Sequence, residues 1–473
     1  RLTERPDLFQ SDFTSYNLTA NWEMDWATLT SSSTYSNIDG KFIVDLAGTF
    51  NQLIPFALDA VGYDENFVQE VRLVSADGGD WDWTVGGFYF NKRRDIDYDY
   101  RSSLDFLQTR NLTGLPNEYY QSYSGYFDAI ESAAFGELTY RFSEQFWLTG
   151  GLRYTETSVQ SHTLAGGYNS NYLAVALGGF SNVALTVVPV AAADGQKVEA
   201  DNMSYKVSAS YKPMDNLTTY ASISTGFRSP VANARAGSVS LVDPNDLVIP
   251  NGADSDELTN YEVGMKGTFL NGKLVSNLSA YYILWEDIQV QANRLSDQVQ
   301  FATNIGEAVS QGIEFEVGYY PGNGFSLFVN GSLNDTEITE LTPEEAAISG
   351  AEEGLQLAMP NFQGAATARY DFDIGDMDAF VSGTIAHVGD FPAMLPNTPG
   401  QPNLPAATFD YTDAYTTLNL QAGIEKDNWK VTGYVENLFD DNSVTYVHPE
   451  AFTDARYARL RPQTIGVRLS LDY

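Results

Sequence analysis

Segments with one apolar and one polar face recur along this chain, and the connections between them alternate between very short and long. Tyr16, Leu18, Ala20 and Trp22 alternate with Asn17, Thr19, Asn21 and Glu23, and Tyr205, Val207, Ala209 and Tyr211 alternate with Lys206, Ser208, Ser210 and Lys212. The same arrangement returns at Val263 to Phe269, Ile313 to Tyr319, Leu418 to Ile424 and, at the end of the chain, Ile465, Val467, Leu469 and Leu471. A two-residue period is the mark of a strand with one greasy and one wet face. The short connections, "RFSEQF", "YKPMDN", "FLNGKL", "YPGNGF" and "EKDNW", carry Gly, Asn, Asp, Pro or Ser where a tight hairpin needs them. The long ones run from Asp39 to Glu65, Lys92 to Asp128, Ser158 to Asp201, Ser229 to Ser255, Thr339 to Leu357, Asp390 to Asp413 and Asp441 to Arg461.

A sheet connected in this way has one short-turn edge and one long-loop edge. Membrane barrels of the bacterial outer membrane are built so, with short periplasmic turns and long extracellular loops, whereas a soluble sandwich has no reason to obey the rule. No run of about 18 apolar residues occurs, so any crossing of a bilayer is made by strands. Tyr140, Phe142, Tyr211, Phe269, Tyr319, Tyr320 and Tyr473 fall near the short-turn edge, where an interfacial girdle belongs. With 27 Phe, 29 Tyr, 7 Trp and 43% hydrophobic residues, the chain has the apolar material of a folded protein. A formal charge of −36 excludes nucleic-acid binding and repels anionic phospholipid, and the absence of Cys removes disulfides and thiolate metal sites. The expected fold is therefore all-β, a transmembrane antiparallel β-barrel with about seventeen strands. The first and last strands both run toward the short-turn edge, so the count is odd. With Arg1 as its first residue, the chain is expected to be a processed product or fragment whose barrel lacks strands upstream.

Several phrases resemble TonB-dependent outer-membrane receptors, in that family's order. "SAAFGELTYRFSEQFWLTGGLRYTET" (Ser132 to Thr157) is similar to a mid-barrel hairpin and "TTYASISTGFRSP" (Thr218 to Pro230) to a strand before a long loop. "DELTNYEVGMKGTFLNGKL" (Asp256 to Leu274) and "NIGEAVSQGIEFEVGYYP" (Asn304 to Pro321) match further segments. "GYVENLFDDNSVTYV" (Gly433 to Val447) with "RPQTIGVRLSLDY" (Arg461 to Tyr473) resembles the C-terminal signature. The resemblance implies a barrel of about 22 strands around a plug, in the outer membrane among its lipid and lipopolysaccharide. Residues 1–473 then form the C-terminal part of the barrel, with the plug domain and the TonB box outside them. The implied partners are the plug domain of the same polypeptide, TonB with its inner-membrane energising complex, and a small-molecule ligand. In such receptors a terminal aromatic, here Tyr473, is part of the assembly signal.

No nucleophile elbow, phosphate-binding Gly loop or His-Glu-x-x-His is present, so no enzyme, cofactor or metal site is expected. His162, His387 and His448 are scattered, and "DIDYDY" (Asp95 to Tyr100) lacks the Gly and distal Glu of a calcium loop and reads as a solvated acidic loop. Glu70, Arg72, Lys206, Glu262, Lys266, Glu314, Glu316 and Arg468 lie on polar strand faces and are expected to look into the lumen, toward a plug or toward one another. Arg153 and Arg228 are the candidate ligand-binding residues, although Arg228 could equally pair with the acidic loops. Leu173 to Gly195 carries no charge before Asp194, which suits a lid, a strand added to the rim, or a protein partner. Phe391 to Ala407 is Pro-punctuated and expected to be extended and stiff. The expected function is energised uptake of a scarce solute such as a siderophore, vitamin, saccharide or other small organic. The alternatives are a structural or protein-binding surface barrel and a passive porin-like channel.

Overall fold

The computed structural model describes residues 7–45, 55, 57–76, 79–111, 114–172, 175, 184–294, 296, 299–393, 410–447 and 457–471. Seventeen long strands follow one another. The first six are β1 (Leu8–Glu23), β2 (Ala27–Asp45), β3 (Ala57–Ser75), β4 (Trp81–Arg101), β5 (Tyr119–Arg141) and β6 (Phe146–Thr163). Then come β7 (Val198–Met214), β8 (Leu217–Arg228), β9 (Asp256–Phe269), β10 (Leu274–Asn293), β11 (Gln300–Tyr319) and β12 (Phe325–Glu340). The last five are β13 (Phe362–Ile374), β14 (Met377–Val388), β15 (Tyr415–Lys426), β16 (Trp429–Glu436) and β17 (Thr464–Leu471). Each pairs antiparallel with the next in sequence, the arrangement that satisfies backbone donors and acceptors where no water is present. Three short pieces at 168–170, 187–189 and 193–194 complete the 20-stranded sheet. Among the described residues, β1 pairs only with β2 and β17 only with β16.

Tight turns close the lower edge because Asn, Asp and Gly accept the left-handed backbone: Asn271 and Gly272 between β9 and β10, Gly322 and Gly324 between β11 and β12, and Asp427 between β15 and β16 all have positive φ. Exposure and register then assign the faces. Ile465 and Val467 are 72% and 75% exposed, whereas Thr432, opposite Arg468 on the other face, is buried. The same parity puts Leu420, Val381, Val263, Val207 and Leu152 outside. Trp22, Trp26, Trp81, Phe142, Tyr211 and Tyr320 stand exposed near the short turns, and several pack ring on ring, with Trp81 and Tyr140 4.2 Å apart and Tyr140 and Phe142 4.5 Å apart. This is the lower interfacial girdle. At the upper limit Glu257, Glu286, Glu307 and Glu340 lie directly opposite one another across β9 to β12. Outward-facing carboxylates are too costly in hydrocarbon, so this row stands above it.

Several strands outrun the roughly ten residues that a bilayer requires: β4 has 21 and β5 has 23. Two expectations are corrected here. Most of 39–65 and 92–128 is strand rather than loop, β2 and β3 pairing as far as Asp45 and Ala57, and β4 and β5 as far as Arg101 and Tyr119. "DIDYDY" is accordingly part of β4, with Ile96, Tyr98 and Tyr100 on the face shared with Phe88. Above the hydrocarbon neither face has to be apolar, so the ladder continues after the hydropathy signal fades. The connection 294–299 is also short, although it lies on the long-loop edge. Tyr473 and His448 lie outside the described residues, as do 173, 174 and 176–183 and most of 391–407.

The face assignment makes a direct prediction. In the full-length protein, Val207→Arg at the centre of the outward face should cost about 2–4 kcal/mol by equilibrium unfolding from lipid vesicles, and Ser208→Arg, one residue on and facing inward, less than about 1 kcal/mol.

Candidate functional site

Four of the predicted inward charges converge. Lys266 on β9 and Glu314 and Glu316 on β11 line one concavity of about 670 Å³ on the inner wall, together with Tyr220, Asn277, Asn330 and Gln363. Glu262 on β9 adjoins it, accepting from the Tyr220 hydroxyl and, at 3.3 Å, from Asn260 Nδ2. Asn277 Nδ2 donates to Glu316 Oε2 at 3.0 Å, and the Lys266 ammonium lies 5.9 Å from the Tyr220 ring. Register explains the convergence: Lys266 is opposite Asn277, Asn277 opposite Glu316, and Ser279 opposite Glu314. Three carboxylates against one ammonium give this wall a negative potential and suit it to cationic partners.

The other predicted inward charges pair elsewhere. Glu70 holds Arg72 at 3.3 Å along β3, Lys206 reaches Glu137 at 3.4 Å, and the Arg468 guanidinium lies 5.7 Å from the Tyr434 ring. Arg153 binds Glu131 at 2.9 Å and the Thr155 hydroxyl at 3.1 Å, between the rings of Phe88 and Phe135. These contacts neutralise charge locally in that sector of the inner wall. A further inward group belongs to the misread part of β4: Asp64 sits between Lys92 at 3.2 Å and Arg94 at 3.4 Å. The alternation in "FNKRRDIDYDY" was the available signal for it.

Arg228 closes the top of the β8–β9 hairpin. Its guanidinium binds Asp256 through both Nε, at 2.7 Å, and Nη2, donates to the Gln289 carbonyl at 3.1 Å and covers the Trp285 ring at 4.8 Å. Asp256 is 2% exposed and also accepts from Trp285 Nε1 at 3.0 Å and from the backbone N–H of Arg228 and Gln289. The acidic partner of Arg228 is thus a strand residue, Asp256, rather than a loop residue, and the Arg228 side chain stays 49% exposed.

Segment 229–255 folds back against the inner wall as a pinned shelf. Asn233 exchanges hydrogen bonds with the backbone of Ala302 on β11, and its carbonyl accepts from Ser161 on β6 at 2.8 Å. Arg294, 2% exposed, donates to the carbonyls of Ser238 and Leu247. Asp246 accepts from the backbone N–H of Leu247 and Ser296 at 2.7 and 2.8 Å. Beside the shelf, α1 (Pro343–Ser349) begins at a Thr342/Glu345 capping box and ends at Gly350 with φ 70°. Ala351, just after it, packs with Ile288, Ile305, Ala308 and Ile338, and Ile348 packs against Ile249, Ala292 and Phe301. The described part of 173–195 joins the rim, Val187 to Pro189 pairing with Tyr168 to Ser170 and Ala193 to Asp194 with β6. Among the described residues no group of three or more His, Cys, Asp or Glu side chains converges to hold a metal.

A family model described as the β-barrel of TonB-dependent receptor-like proteins matches residues 2–438. The chain belongs to that family. Its members are receptors and transporters of the Gram-negative outer membrane rather than enzymes, and this chain is an outer-membrane β-barrel. It is 21% identical over 471 residues to the pesticin receptor of Yersinia pestis, covering 98% of this chain and 57% of that protein. Among solved structures it resembles the ferric yersiniabactin uptake receptor FyuA of Yersinia pestis, with TM-score 0.74, 17% identity and coverage of 98% of this chain and 62% of that one. It also resembles the copper transporter OprC, with TM-score 0.71, 14% identity and coverage of 100% and 67%. The chain thus spans less than two thirds of the length of the pesticin receptor and of FyuA.

Two predictions concern this barrel. Asp256→Ala leaves the Trp285 indole N–H, the Gln289 amide and the Arg228 guanidinium without their shared acceptor, and should cost about 3 kcal/mol by chemical unfolding. The second concerns pH. Burial disfavours ionisation of Asp246, but hydrogen bonds from Ser296 and Leu247 and the nearby Arg294 charge outweigh it and hold the carboxyl below its usual 3.8. A carboxyl depressed in the folded state contributes stability above its unfolded value and loses it as pH falls through the folded one. Hydrogen exchange of residues 238–249, corrected for intrinsic rates, should therefore accelerate below the usual 3.8, and Asp246→Asn should remove that acceleration.

Proposed function

We propose that this barrel is the outer wall of a receptor that takes up a scarce small organic solute or metal chelate under TonB control. The Glu262, Lys266, Glu314 and Glu316 wall is read as a plug-facing surface. Its supporting observation is the placement of three carboxylates and one ammonium around a single inward concavity on a wall whose outer side faces lipid. An uncompensated acidic wall favours an occupant with basic side chains. A solute would be met above it, at a mouth made by the shelf 229–255, the α1 segment and the inward aromatic side chains Phe42, Tyr98 and Tyr123. Arg153 and Arg228 serve here chiefly to hold the wall, since both are already engaged by carboxylates. The relatives named for pesticin, ferric yersiniabactin and copper support a receptor reading, and the choice among siderophore, vitamin, saccharide or other small organic rests on the transport assay below.

The test is uptake by cells carrying the full-length protein, with and without TonB, of labelled ferric siderophores, cobalamin and oligosaccharides. Saturable uptake of one of them that disappears with TonB is the expected result. Uptake linear in concentration and indifferent to TonB would establish the porin-like alternative. The combined Glu314→Lys and Glu316→Lys change should loosen the plug and raise passive entry of vancomycin at least several-fold, without loss of folded barrel.

A further inference from the structure

The outward face of β13 to β17 is not smoothly convex. A groove of about 770 Å³ crosses it, within the range of pockets that take small organic ligands. Its floor is made of small residues on four neighbouring strands, Ala368, Gly383, Ala422 and Gly433, and its sides rise at Tyr370 and Ile465. Register places the floor as two offset pairs: Ala368 is opposite Gly383 and Ala422 opposite Gly433, while Leu420 stands opposite Gly383 and Val381 opposite Ala422. A side chain at Gly433 would meet nothing nearer than the Ala422 carbonyl at 4.0 Å, so the space there is open.

The groove opens above the short turns, Ala422 and Gly433 each four residues from the strand end there. Ala422, Ile424 and Lys426 share the outward face of β15, and Lys426 is the last residue of that strand before the short turn. Trp429 is opposite Lys426 on β16, giving a cation and an indole side by side at the lower interface, the pair that marks headgroup depth. The Lys426 ammonium contacts only the Asp376 carboxylate among the described residues, which leaves donors of its three for a second anion.

We propose that this groove seats one acyl chain of an inner-leaflet phospholipid, with the lipid phosphate at Lys426. Depth selects the phospholipid: the outer leaflet lies at the opposite end of the strands, beyond the reach of a headgroup bound at the short turns. The lipid is held by apolar contact along Ala422 and Gly433 and by one charge-assisted contact at its head.

The experiment uses the full-length protein in two formats. In vesicles containing phosphatidylethanolamine with a diazirine in one acyl chain, photolabel is expected to concentrate on peptides around Ala368 to Tyr370, Gly433 to Val435 and Ile465 to Val467. Label spread evenly round the lipid-facing belt would overturn the proposal. In native mass spectrometry after mild detergent extraction, the protein should retain one phospholipid, and Gly433→Leu should lower that retention about tenfold by filling the space in which the lipid's methylenes are buried. Gly150→Leu, an outward glycine on β6 with nothing within 4 Å of its added carbon, is the matched control and should leave retention unchanged. Lys426→Gln should weaken retention of the same lipid. Equal retention in all variants, or a lipid A species or second copy of the chain in place of phospholipid, would refute the assignment. Heat-modifiable gel mobility verifies that each variant is folded, and the unsubstituted protein carries the photolabelling test regardless.

Discussion

Inside hydrocarbon there is no water to bond to, so each backbone donor and acceptor must be met by another strand. The remaining features of this protein follow from that demand. It sets consecutive antiparallel pairing from β1 to β17, because a hairpin is the shortest way to present one strand with its partner. It also separates the two edges chemically: turns at the lower edge need left-handed residues such as Asn271, Gly272 and Asp427, while the upper edge is free to carry whatever the outside requires. The acidic excess of the chain is tolerable for the same reason, since carboxylates placed above the bilayer or in the lumen remain hydrated.

Within the interior, charge is handled by two methods. On β3, β5, β6 and β7, bases and acids neutralise one another locally, as in Arg153 with Glu131 and Lys206 with Glu137. On β9 and β11 they do not, and the surplus carboxylates face a concavity. An inner wall that is balanced in one sector and unbalanced in another has a preferred side for a charged occupant.

Period two was readable wherever lipid imposes it, and the outward residues of β1, β7, β9, β11, β15 and β17 stand where that pattern places them. It failed where lipid stops. The ladders of β2 with β3 and of β4 with β5 continue through polar sequence, and Asp64, Lys92 and Arg94 went unread as an inward group for that reason. The capping box at Thr342 and Glu345 was a local signal and was available in "TPEEAAIS". The shelf had no such signal: Asn233 finds Ala302 69 residues away and Ser161 72 residues away, distances at which one sequence carries no trace of the partner.

The pinned shelf has an evolutionary consequence. Asn233, Arg294 and Asp246 supply the bracing, while Val239, Leu247 and Val248 project from it into solvent. Bracing, from Asn233 and Asp246 within the segment and Arg294 beyond it, is thus separated from display. Selection can rewrite the displayed positions one at a time without unpinning the frame, so the surface this segment presents is free to vary while the barrel beneath stays as it was.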